Sequence, residues 1–132
     1  MTEFLNPREL GDFASAGLSS GTATDVFVYA AGLALDPKTL RRRADAKTIA
    51  DETRICLRNI EAILAEAGLT LRHVVKTTCY LSDEAHRGEF IAAYREVFDP
   101  GPYPARCSFV LGLAADIRIQ VEAIAVRNFE AD

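Results

Sequence analysis

Apolar and polar positions change their spacing several times along the chain, and each change marks an element. Phe13-Ala14-Ser15-Ala16-Gly17-Leu18 alternates weakly before the turn signal Ser19-Ser20-Gly21, while Asp25 to Gly32 alternates more strongly and is closed by Leu35-Asp36-Pro37. Two strands joined as a hairpin are expected there. From Ala46 to Ala67 the spacing becomes helical: Ile49, Cys56, Ile60, Ile63, Leu64 and Ala67 recur three, four or seven apart, and Arg54, Arg58 and Glu61 take the other face. That predicts an amphipathic helix, opened by a capping box of Thr48 and Asp51 or a few residues earlier at Asp45, and stopped at Gly68.

His73 to Leu81 is rich in β-branched residues and reads as a strand. Ser82 then caps a second helix, whose apolar stripe is Phe90, Ile91, Tyr94, Val97 and Phe98 and which Asp99-Pro100-Gly101-Pro102 ends. Ala105 to Leu111 and Ile117 to Val126 complete the series as strands. The expected fold is α+β, in the order β-β-α-β-α-β-β, a mixed sheet with two helices on one face. Two helices of this size leave the other face to polar residues or to a partner subunit, so self-association is expected. Residues 1–132 are taken as a single domain, with 1–12 as a loosely ordered N-terminal segment.

Composition narrows the class. At 132 residues, 49% of them hydrophobic and 26% charged, the chain has the make-up of one globular domain. A net charge of -4 argues against nucleic-acid binding, and the short run Arg41-Arg42-Arg43 reads as a solvated loop. No apolar run is long enough to span a membrane and no secretory leader is visible, so a cytoplasmic protein is expected. Cys56, Cys79 and Cys107 form no C-x-x-C pair and leave an odd thiol, consistent with reduced cysteines; His73 and His86 are isolated, so no metal is assigned.

Two charges stand out because they fall inside strand-forming segments: Arg106 in Tyr103-Pro104-Ala105-Arg106-Cys107-Ser108, and Glu122 in Ile119 to Ala125. Isolated buried charges are costly unless paired or met by a charged ligand. Either the two pair with each other or sit at strand edges in water, or they carry chemistry. Alternation puts Glu122 with Arg118, Gln120, Ile124 and Val126, and Arg106 with Ser108 and Val110. If the last two strands are neighbours with those faces aligned, Arg106 and Glu122 line one surface.

Taken together, Val26-Phe27-Val28-Tyr29-Ala30-Ala31-Gly32, Leu35-Asp36-Pro37, Asn59-Ile60, Val74-Val75-Lys76-Thr77-Thr78, Tyr94-Arg95-Glu96-Val97-Phe98, Pro104-Ala105-Arg106 and Val121-Glu122-Ala123-Ile124-Ala125 closely resemble the Rid, or YjgF, family of enamine and imine deaminases. The resemblance runs from about Leu18 to Val126. It implies a chorismate-mutase-like fold, a homotrimer with active sites in clefts between subunits, and hydrolysis of 2-imino acids or their enamine tautomers to 2-keto acids and ammonia without a cofactor.

It also implies site residues. Arg106 matches the arginine that binds the substrate carboxylate, a role suited to the guanidinium fork. Glu122 matches the glutamate that positions or activates water, and Gly32 the glycine where a ligand approaches the backbone. Leu18 and Ala31 stand where the family commonly has tyrosine and serine, and Cys107-Ser108 reverses a frequent Ser-Cys order. The wall they describe is more apolar than usual and points to larger imino acids. Tyr103 borders Pro104 and is a further cleft candidate. Two alternatives stay open: a trimer that binds small carboxylates or acts as a chaperone without turnover, and a deaminase of a larger enamine or dienamine acid resembling aminomuconate.

Overall fold

A computed structural model describes residues 2–128. Its elements are β1 (Glu3–Leu5), β2 (Gly21–Ala23), β3 (Phe27–Leu33), α1 (Ile49–Glu66), β4 (Val74–Leu81), α2 (Arg87–Phe98), β5 (Ala105–Val110) and β6 (Ile119–Val126). The strands form one mixed sheet in the order β1-β2-β3-β6-β4-β5, in which β4 and β5 are parallel and the other neighbours antiparallel.

The long helix follows its pattern. Thr48 Oγ1 accepts from the Asp51 amide at 3.0 Å and Asp51 Oδ2 from the Thr48 amide at 3.2 Å, closing the capping box. Ile49, Cys56, Leu57, Ile60, Ile63 and Leu64 are buried against Val28, Ala30, Val121 and Ala123 of the sheet, with Phe90 and Tyr94 of α2 in the same core. Gly32 is part of this contact: a Cβ there would lie 2.3 Å from the Cys56 carbonyl oxygen, so only glycine lets α1 settle this close to β3.

Four expectations are corrected. Residues 13–18 form no strand; Ala14–Ala16 is a 3₁₀ turn, and the hairpin partner of β3 is the three-residue β2 that follows Ser19-Ser20. The N-terminal segment is not loose throughout, because Glu3–Leu5 pairs with β2 and buries Leu5. Asp83, not Ser82, supplies the cap before α2: its Oδ1 accepts from the Ala85 amide at 2.8 Å, and a 3₁₀ turn leads into the helix at Arg87. The last two strands are not neighbours, since β4 lies between β5 and β6.

Candidate functional site

Both helices cover one face of the sheet. On the other face β3 presents Phe27, Tyr29 and Ala31, β6 presents Gln120, Glu122 and Ile124, and β4 presents Lys76, Thr78 and Tyr80, alternating with residues buried under the helices. Ala31 is directly opposite Glu122 on one side, and Thr78 is opposite it on the other. Ser19, Ser20, Thr22, Tyr29, Ala31, Lys76, Thr78 and Glu122 wall a cavity of about 300 Å³. Its polar groups are hydroxyls, one ammonium and one carboxylate, a set able to hold water and a small polar ligand.

Glu122 is exposed, and among the described residues its hydrogen-bond partner is a phenol: Tyr80 Oη donates to Oε1 at 2.8 Å. The carboxylate beside it raises the Tyr80 pKa above its ordinary value, so the phenol keeps its proton and remains the donor. Tyr80 also stacks on Phe109 of β5, with ring centroids 6.3 Å apart.

Arg106 lies on the opposite face. It is in register with Thr77, which is buried under α2 and shares a 2.7 Å hydrogen bond with Tyr94 Oη. Its guanidinium carbon is 5.0 Å from the Tyr94 ring centroid and 5.8 Å from that of Phe90, within cation–π range. Burial raises the Tyr94 pKa. Among the described residues no carboxylate comes within ion-pair distance of Arg106, and its side chain is exposed. The guanidinium is therefore held by ring faces with its donor fork unclaimed by any acid.

The two singled-out charges thus neither pair with each other nor line one surface of this chain. Ser108 shares the helix side of β5 with Arg106, opposite Cys79, whereas Cys107 is on the open side opposite Thr78. Leu18, 47% exposed, precedes cavity-lining Ser19. Gly32 turns its missing side chain toward α1, so its lack of a Cβ already has a packing cause. Tyr103 is away from the cavity wall: its hydroxyl donates to Asp99 Oδ1 and Arg95 sits 6.0 Å from its ring centroid. Burial pushes the Cys79 thiol up to about 11 and raises Cys56 still further, so neither is a ready nucleophile.

A carboxylate that pattern reading passed over is the buried one. Glu52 of α1, 0% exposed, accepts from the Arg118 amide at 2.8 Å, the Ile119 amide at 3.0 Å and Arg118 Nε at 2.8 Å. Arg118 Nη2 in turn donates to the carbonyls of Ala46 and Lys47. The signal was present: Glu52 falls three residues after Ile49 and four before Cys56, within the apolar stripe. The run Arg41-Arg42-Arg43 is engaged by acids, with Asp116 accepting from the Arg42 amide and facing Arg41, and Asp45 accepting two bonds from Arg43. Among the described residues no His, Cys, Asp and Glu cluster could hold a metal, and no helix is long and apolar enough to cross a membrane.

Comparison with known proteins agrees with this fold. The sequence profile of the family described as Endoribonuclease L-PSP matches residues 12–127. The 2-iminobutanoate/2-iminopropanoate deaminase of Salmonella typhimurium is 37% identical over 97 residues, covering 71% of this chain and 73% of that protein. A crystal structure of Escherichia coli TdcF with bound serine superposes with a TM-score of 0.73 at 29% identity, covering 84% of this chain and 88% of that one. That of YyfA from Yersinia pestis, a conserved Rid family protein, does so with a TM-score of 0.77 at 25% identity, covering 96% and 99%. On these matches, and on the mixed six-stranded sheet carrying two helices, the chain belongs to the Rid (YjgF, L-PSP) family.

Proposed function

We propose that the chain is an enamine/imine deaminase, hydrolysing 2-imino acids to 2-keto acids and ammonia at sites completed between copies of itself in a homotrimer. One observation carries this reading: an arginine and a glutamate, each without a charged partner among the described residues, stand on opposite faces of the sheet, with β4 between their strands. The sheet itself lies between the two side chains, and their strands are two spacings of about 4.8 Å apart, so a small imino acid cannot touch both within one chain. The exposed edge strand β5 of one copy, laid beside the open face of the next, can bring them together. That face carries Phe27, Tyr29 and Phe109, between 39% and 49% exposed, as apolar surface for such a contact.

Arg106, steadied by Tyr94 and Phe90, takes the substrate carboxylate in its fork and fixes the C=N carbon in place. Glu122 of the neighbouring copy holds a water in the cavity and accepts its proton as oxygen bonds to that carbon. Returning protons to nitrogen makes it a neutral leaving amine. The C–N bond then breaks as C=O forms, so imine and water become keto acid and ammonia without any change of oxidation state. The methyl of Ala31 lines the cavity and exposed Leu18 borders it next to Ser19, two apolar groups that favour larger imino acids.

The test uses two strongly impaired variants, Arg106→Ala and Glu122→Gln, purified apart, unfolded together and refolded as mixed oligomers. Ammonia release should rise well above that of either parent only in the mixture, because some interfaces then combine an intact arginine with an intact glutamate. A mixture as inactive as its parents, or a solution mass equal to the 14.4 kDa of one chain, would refute the shared site.

A further inference from the structure

Glu122 has two carboxylate oxygens, and the sheet treats them differently. Oε1 accepts from Tyr80 Oη at 2.8 Å, while no hydrogen bond to Oε2 is seen among the described residues. Tyr80 is not in the cavity wall, whereas Glu122 is. The phenol comes from β4, where Tyr80 is in register with Gln120, two residues before Glu122 on β6. Its ring is braced by Phe109 of β5, so three adjacent strands contribute Phe109, Tyr80 and Glu122 in a row.

We propose that Tyr80 is the positioning residue for Glu122, its phenol fixing Oε1 so that Oε2 is the oxygen presented to water in the cavity. The inference rests on the hydrolytic role of Glu122 given above and adds how that carboxylate is aimed. A glutamate side chain in water samples several rotamers, and each misaligned one is lost to the reaction. One phenol bond in an exposed place adds little to folding stability, so its main consequence is orientation. The raised pKa of Tyr80 keeps the donor protonated at neutral pH.

Tyr80→Phe keeps the ring and its stacking on Phe109 while removing only the hydroxyl. In the full-length protein kcat for a 2-imino acid should fall about tenfold with KM nearly unchanged, the split expected when a catalytic group is misaimed but substrate binding is intact. Thermal stability should not move. In a Glu122→Gln background the same substitution should have no further effect, because there is no longer a carboxylate to aim. Alkaline absorbance titration gives a readout independent of turnover: the phenol that Tyr80→Phe removes should ionise above 10.0 in the wild type and nearer 10.0 in Glu122→Gln. Wild-type kcat in Tyr80→Phe, with Glu122→Gln slow, overturns the role of Tyr80 alone, as does an equal loss in both backgrounds. Wild-type turnover in Glu122→Gln overturns the hydrolytic reading of Glu122 and this inference with it.

Discussion

Glu52 and Glu122 are the same side chain put to opposite uses. Glu52 is wholly inside, and its oxygens are claimed by two backbone amides and Arg118, which lock the start of β6 onto α1. Glu122, four residues into β6 from Arg118, reaches away from the helices and meets a single phenol. The first carboxylate is satisfied and has nothing left to give; the second retains an oxygen for something outside the chain. Burial alone therefore misleads as a guide to function here. The deeper charge is structural, and the shallower one, with incomplete bonding, is the candidate for chemistry.

The sharpest way to break the contrast is to delete each acid in turn. Glu52→Ala strips from Arg118 its carboxylate partner among the described residues and orphans two backbone amides, and should cost about 3–5 kcal/mol in denaturant unfolding. Glu122→Gln should stay within about 0.5 kcal/mol of wild type in the same experiment. If the two variants melt alike, the division between structural and available carboxylate fails.

A smaller effect is expected at the arginine. Arg106→Lys keeps a cation over Tyr94 but replaces a planar fork with a point charge, and should lower kcat/KM for imine hydrolysis by about a hundredfold with the melting temperature unchanged. Turnover at the wild-type rate would remove the carboxylate anchor.

The smallest effect concerns the apolar wall. Leucine- or phenylalanine-derived imines should exceed 2-aminoacrylate by about tenfold in kcat/KM, and Leu18→Tyr should narrow that ratio, since a hydrophobic pocket discriminates by only about 1–3 kcal/mol per methylene. Competition assays with imines generated by an amino-acid oxidase and by a dehydratase measure it directly. An unchanged ranking in Leu18→Tyr would remove this residue from the specificity wall.

What could be read from the chain was what is local. The capping box of α1, its apolar stripe, the termination of α2 and the alternation in β3, β4, β5 and β6 all depend on neighbours a few residues apart. The insertion of β4 between β5 and β6 did not show, because period-two alternation fixes which residues share a face but not which strand lies next. That error made Arg106 and Glu122 seem to share a surface. The three-residue β1 and β2 are too short to establish a period, so the place of β2 was assigned to residues 13–18 and β1 to a loosely ordered N-terminal segment. Glu52 was overlooked because its partners are the side chain and amides of residues 66 and 67 positions later. The candidate residues themselves were legible as motif members; the face each occupies was not.

The strand order has a consequence for how the chain acquires its shape. β6 is last in sequence but third from one end of the sheet, and β3 and β4 have no pairing with each other without it. A ribosome that has delivered residues up to Val110 has therefore made two separate strand groups and the helices that should roof them, with the seam between them still open. Closing that seam requires contacts across 87 residues, between Leu33 and Gln120, to 99 residues, between Phe27 and Val126, on the β3 side, a high-contact-order step that slows folding and leaves apolar strand edges bare until it occurs.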